Sequence, residues 1–177
     1  DTAEMYPVPP MAETQGRTEE IIGNWLEARK NREQVIVATK VVGPTAMTYI
    51  RPNPKLNREN MMQALDNSLR RLKTDYVDLY QLHWPDREVN FFGQLNYKYN
   101  PDDNPVPIEE TLSVLKEMID AGKVRHVGVS NETPWGVMKF MEAAKYHNLP
   151  RIHSIQNPYS LLNRSFEVGL SEVAIQE

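Results

Sequence analysis

The chain has 177 residues, 40% hydrophobic and 25% charged, with a net charge of −4; it is long enough for one good core and has no Lys/Arg excess to attract nucleic acid. It has no cysteine, which excludes disulfides, thiol catalysis and cysteine-bound zinc. No apolar run approaches the ~18 to 20 residues of a membrane helix, and DTAEMYPVPP lacks the features of a signal peptide, so a cytoplasmic protein without a membrane partner is expected.

In chain order, TEEIIGNWLEAR predicts a helix from Thr18 to Arg29, with Thr18 as N-cap and Ile21, Ile22, Trp25 and Leu26 on one face. VIVATKV, Val35 to Val41, is a compact β-branched run and predicts a buried strand. After a Pro- and Asn-rich loop, Asn57 is placed to cap a helix on which Met61, Met62, Leu65, Leu69 and Leu72 recur at helical spacing. YVDLYQLH, Tyr76 to His83, returns to strand character.

The stretch from Trp84 to Pro107 is aperiodic and rich in Pro, Asn and aromatics. It exceeds the ~12 to 15 residues of an ordinary connection, which marks it as a lid or binding loop. IEETLSVLKEMIDA then predicts a helix stopped by Gly122, followed by a strand at VRHVGVS. Thr133 and Pro134 cap and open a further helix whose apolar face is Val137, Met138, Phe140, Met141 and Ala144. HSIQNPYS reads as strand and loop, and SFEVGLSEVAIQE as a helix.

Helix and strand thus alternate through four strands, which implies parallel strands with helical crossovers, in a doubly wound sheet or a (β/α)8 TIM barrel. No G-x-G-x-x-G follows a strand, which argues against the dinucleotide-binding doubly wound form. A barrel takes about 250 residues, so residues 1–177 are expected to form one domain comprising half to two-thirds of a barrel. Such a piece would expose open sheet edges, so the chain is expected to be an internal segment of a longer protein.

In parallel α/β proteins chemistry gathers at the carboxyl ends of the strands. Lys40 ends one strand, His83 the next, Ser130 and Asn131 the third, and Gln156 with Asn157 the fourth. If a strand precedes the first helix, Asp1 lies at its end and Tyr6 just beyond. Singly, each residue is as well explained as a solvated, structural or turn residue; their joint placement on one rim is what points to function.

Six segments, DTAEMY, GRTEEIIGNWL, VATK, DLYQLHWPD, GKVRHVGVSN and IQNPYSLLNR, resemble in order those of the aldo-keto reductase family, and most closely its bacterial Tas-type branch. The resemblance covers the whole chain. It implies a barrel running from the end of strand 2 to the helix after strand 6, and a catalytic tetrad of Asp1, Tyr6, Lys40 and His83. It further implies that Ser130, Asn131 and Gln156 hold a nicotinamide carboxamide, that Trp84 lines the substrate pocket, and that NADPH, or else NADH, is the cofactor. Packing is an equal alternative for Trp84.

The tetrad also makes chemical sense. Carbonyl reduction needs a hydride, which no side chain supplies, and a proton. Tyrosine, with a pKa of about 10, is a weak acid near neutrality, and a cation within ~4 to 6 Å lowers such a pKa by roughly 1 to 3 units. Lys40 is expected to be that cation, held charged by Asp1. A neutral His83 would donate a hydrogen bond to the carbonyl oxygen as it gains charge.

The expected activity is therefore reduction of a small aldehyde or ketone, with no metal and no nucleic-acid partner; the sequence leaves the oligomeric state open. A redox-sensing accessory subunit that binds the nicotinamide with little turnover is the alternative. A metal-dependent hydrolase using His83, His126 and His153 fares poorly, because the last two lie at strand starts on the opposite rim. The chain departs from the family pattern after Tyr6, where PVPPMAETQG intervenes before the matching Gly16 and lengthens the rim loop.

Overall fold

The computed structural model describes residues 1–92 and 94–177. Helices α1 (Arg17–Arg29), α2 (Arg58–Leu72), α3 (Ile108–Asp120), α4 (Pro134–His147) and α5 (Leu170–Gln176) alternate with strands β1 (Ala38–Val41), β2 (Val77–Leu82), β3 (Val124–Ser130) and β4 (Ile152–Gln156). The strands are all parallel and lie in the order β1-β2-β3-β4. Sequential parallel neighbours joined by helical crossovers are the arrangement of a barrel, of which this sheet is a part. Ahead of β1, the Thr2 and Glu4 N–H groups donate to the Ala38 and Lys40 carbonyls at 2.9 and 3.1 Å. The chain around Thr2 therefore runs beside β1 like the end of a further strand.

Alternation along the strands sorts the residues into two faces. Val41, Tyr80, Leu82, Val127 and Val129 belong to the main core together with Met61, Leu65 and Leu72 of α2, Leu112, Leu115 and Met118 of α3, and Val137 and Phe140 of α4. The other face presents Lys40, Gln81, Gly128 and Ser154, aligned across the sheet by the strand register. One face of each strand builds the protein, and the other is left for chemistry.

Several local expectations match. The Asn57 side chain accepts from the Asn60 N–H and caps α2, and Thr133 accepts from the Gly136 N–H and caps α4, with Pro134 in its first turn. The β3 limits agree with the strand expected at VRHVGVS. Others fail. The N-cap of α1 is Gly16, at φ 79°, and not Thr18; glycine tolerates the left-handed backbone there, and the Thr18 hydroxyl pairs instead with that of Thr2 at 2.7 Å. Of the expected apolar face Leu26 is buried, whereas Ile21 and Trp25 are exposed, and α1 buries Glu19 and Gly23 besides. Strand pairing begins at Ala38 rather than Val35, Met138 is exposed, and the final helical stretch is a 3-10 turn (Ser165–Val168) followed by the short α5.

The α1 result has a physical reason. A Cβ at Gly23 would lie 2.1 Å from the Arg71 carbonyl oxygen, so α1 and α2 meet backbone to backbone at that point. Glu19, one turn earlier, accepts from the Thr39 hydroxyl of β1 at 2.5 Å and from Arg71 Nε of α2 at 2.7 Å. A polar anchor and a close approach orient the helix, and they outweigh its apolar stripe.

The Trp84–Pro107 loop contains no helix or strand among its described residues. Asp86 fastens its base, its two carboxylate oxygens accepting from the Leu56 and Val106 N–H groups at 2.6 and 2.8 Å. Arg87 ties the loop to the end of β3 through the buried carboxylate of Glu132 and the Thr133 hydroxyl.

Candidate active site

Lys40 sits one residue before the end of β1 with its side chain buried. Its ammonium donates to Asp1 Oδ2 at 2.5 Å and to the Thr2 carbonyl at 3.0 Å, which leaves one of its three donors. The Tyr6 ring centroid is 5.3 Å from the same nitrogen. The Tyr6 ring in turn meets the His83 ring edge to face, with centroids 5.6 Å apart. The four residues implied by the resemblance are therefore contiguous, drawn from the segment before α1, from β1 and from the end of β2.

Burial governs the electrostatics. It lowers the Lys40 pKa to about 8, despite the opposing pull of the Asp1 carboxylate. It also brings His83 down to about 3, with the Lys40 charge adding to the effect, so the imidazole is neutral at any ordinary pH. Its Nδ1 is buried and has no partner among the described residues. The Tyr6 phenol is raised above its usual value by burial. This reverses the expected lowering by Lys40: the ammonium is already paired with Asp1, and loss of water outweighs what field remains. At rest Tyr6 is protonated.

Ser130 and Gln156 are register partners at the ends of β3 and β4. The Ser130 hydroxyl donates to the Gln156 carbonyl at 2.7 Å. Asn131, in the left-handed region at φ 53°, donates from Nδ2 to the His83 carbonyl at 2.9 Å and to Ser130 Oγ at 3.1 Å. Among the described residues Asn131 Oδ1 and Gln156 Nε2 have no protein partner. An acceptor and a donor thus remain at one edge, the complement of a carboxamide, and the residues fit a nicotinamide. Asn157 turns elsewhere and donates to the Glu132 carbonyl at 2.9 Å.

Trp84 is buried, and its indole N–H donates to the Pro44 carbonyl at 3.0 Å. It packs in a small rim cluster with Ala3, Met5 and Val42, its ring 4.8 Å from that of His83. It also borders a cleft of about 380 Å³ between the long loop and α4, on a different side from Tyr6 and Lys40. His126 and His153 lie with ring centroids 4.5 Å apart, tilted by 56°, in the early part of β3 and β4.

Sequence reasoning missed three residues here. Gln81 Nε2 reaches Gln156 Oε1 at 3.3 Å, across β3 at the position where Gly128 has no side chain. Its spacing of two residues from His83 was the available signal. Glu4, two residues before Tyr6 in the chain, and Arg51 form a buried ion pair whose charges act on Tyr80; no periodicity marks such a pair.

These features define a class: a parallel α/β barrel with tyrosine, lysine, histidine and a carboxylate gathered at the strand ends. A family model described as "Aldo/keto reductase family" matches residues 1–177, and the chain belongs to that family. It is 55% identical to "Protein tas" of Escherichia coli (strain K12) over 179 aligned residues, covering 100% of this chain and 52% of that protein. It is 41% identical to an "Aldo-keto reductase" of Babesia bovis, over 79% of this chain and 53% of that protein. With "Aldo-keto reductase YhdN" of Bacillus subtilis the identity is 38%, over 86% of this chain and 38% of the relative. The chain spans about half the length of Protein tas. No described helix is long and apolar enough to cross a membrane.

Proposed function

We propose that the protein to which this chain belongs is an NADPH-dependent reductase of aldehydes or ketones, with Tyr6 as the general acid. The observation that supports this best is the Asp1–Lys40 ion pair beside the Tyr6 ring, with a neutral His83 packed edge to face against the same ring. A bound reduced nicotinamide supplies the hydride, which goes to the carbonyl carbon. Tyr6 gives its phenolic proton to the carbonyl oxygen, so an alcohol and the oxidised cofactor result. Lys40 then lies next to the developing tyrosinate, and its charge counts for more in that state than in the resting one. His83 donates its single N–H to the substrate oxygen, Asp1 holds the ammonium in place, and Trp84 forms part of the apolar wall.

Asn131 Oδ1 and Gln156 Nε2, with Ser130 beside them, would hold the carboxamide and fix which ring face meets the substrate. The preference for NADPH over NADH follows the family resemblance.

The test is NADPH consumption by the full-length protein with a panel of aldehydes and ketones, wild type against Tyr6→Phe. A loss of about 10²- to 10⁴-fold in turnover is expected, with cofactor binding, read by fluorescence titration, unchanged. Equal rates in the two proteins would remove the acid role. Tight cofactor binding without turnover in the wild type would favour the accessory-subunit reading.

A further inference from the structure

We propose that Glu4 is a positioning residue for the Tyr6–Lys40 pair; the inference rests on the function proposed above. Glu4 lies two residues before Tyr6 and is almost wholly buried, as is Arg51. Every polar group it owns is engaged. Its N–H donates to the Lys40 carbonyl at 3.1 Å, and its carbonyl accepts from Gln15 Nε2 at 2.5 Å. Its Oε1 accepts from the Val42 N–H at 2.8 Å and from Arg51 Nη2 at 3.0 Å, and its Oε2 from Arg51 Nη1.

One residue thus fastens the segment bearing Asp1 and Tyr6 to the backbone on both sides of Val41, next to Lys40. The far end of the tether is firm. Arg51 Nε donates to Asn60 Oδ1 at 3.2 Å, and Asn60 sits in the capped first turn of α2, its N–H bonded to Asn57 Oδ1 at 3.1 Å. Tyr6 has nothing comparable of its own: its backbone is held by Ala3 and Gly16 within the same loop. The side chains of the neighbours Ala3 and Met5 contribute only packing in the rim cluster.

A buried ion pair gives little stability that apolar residues of similar volume could not give. What those residues cannot supply is the directional side-chain bond to the Val42 N–H, two residues beyond Lys40. Glu4 therefore sets the separation of phenol and ammonium, and an error of about 1 Å in such a placement costs around 10²-fold in rate.

The variants are Glu4→Gln, which keeps the shape and weakens the grip on Arg51, and Glu4→Met with Arg51→Met, which removes both charges together. In the full-length enzyme the double variant is expected to melt near the wild-type temperature yet lose about 10²-fold in kcat, with KM for the aldehyde and Kd for NADPH within about two-fold of wild type. A readout independent of turnover is the Tyr6 phenol titration in cofactor-free protein labelled with 13Cζ-tyrosine, the signal being assigned by its loss in Tyr6→Phe. Its midpoint is expected to move in Glu4→Gln and in the double variant alike. A double variant with wild-type kcat and an unmoved titration would overturn the positioning role and leave Glu4 a structural residue. If Glu4→Gln fails to fold, the double variant decides. If Tyr6→Phe proves as active as wild type, the reductase mechanism fails, while the titration still reports on Glu4.

Discussion

Two buried carboxylate–guanidinium pairs flank β1, and they differ in what they hold. Glu19 and Arg71 join α1 to α2 behind the sheet, with the Thr39 hydroxyl of β1 as third member. Glu4 and Arg51 join the rim segment to β1, with the Val42 N–H as third member. Both carboxylates are essentially inaccessible to water. They reach β1 on opposite sides of Lys40, one through a side chain and one through the backbone. Similar chemistry therefore serves two ends: one pair orients a helix, and the other locates a reactive group. Location in the fold, more than bond strength, separates a stability residue from a site residue.

The largest expected effect tests the first half of that contrast. Glu19→Ala leaves the Arg71 charge without its partner and the Thr39 hydroxyl without its acceptor. Removing one member of a buried pair costs about 3–5 kcal/mol, read as a lower urea midpoint for the full-length protein. Its kcat under folding conditions is expected to match wild type, because Glu19 touches neither the Tyr6 segment nor the Lys40 side chain. A fall in kcat like that of the Glu4 variants would abolish the distinction between the two pairs.

Gly23→Ala probes the same seam with a smaller effect. The added methyl would collide with the Arg71 carbonyl oxygen and with the Leu72 backbone, neither of which has a flexible end to move aside. Overpacking of this kind costs about 1–3 kcal/mol. Since Arg71 takes part in both features, the losses in Glu19→Ala and Gly23→Ala are expected not to add. Full additivity in a double-mutant cycle would show that the seam and the ion pair are independent.

Legibility in the sequence followed the physics of each element. α2 was readable because its cap and its 3.6-residue stripe agree, with Met61, Leu65, Leu69 and Leu72 all buried. β3 was readable because VRHVGVS is bracketed by the Gly122 helix stop and the Thr133–Pro134 start of the next helix. α1 was misread because a buried Glu and a Gly at a helix crossing look like surface residues until the neighbouring helix is in place. The same holds at the site. Lys40, His83, Ser130 and Gln156 could be placed from strand ends alone, and Asp1 and Tyr6 from the segment that resembles the family. Glu4 and Arg51 are 47 positions apart, and only the folded loop after β1 brings them together. Gln81 lay in plain view two residues from His83, but its partner is across a strand whose glycine opens the way.

The smallest predicted effect concerns protons and returns to the contrast between the pairs. Lys40 loses its charge around pH 8, whereas His83, at about 3, stays neutral across the working range. Tyr6 is held above its usual pKa and remains protonated through that interval. In the reductive direction kcat should therefore be flat from weakly acid to neutral pH. It should fall as pH rises through about 8, since a neutral amine no longer favours the tyrosinate that forms as the proton leaves. The descending limb belongs to Lys40, so its midpoint reports the surroundings of that ammonium. Glu19→Ala, acting behind the sheet, is expected to leave the midpoint in place. Glu4→Gln, acting on the Val42 N–H just beyond Lys40 and on Arg51, is expected to shift it. A pH profile of kcat for the three proteins separates the two pairs by a quantity that stability alone does not move.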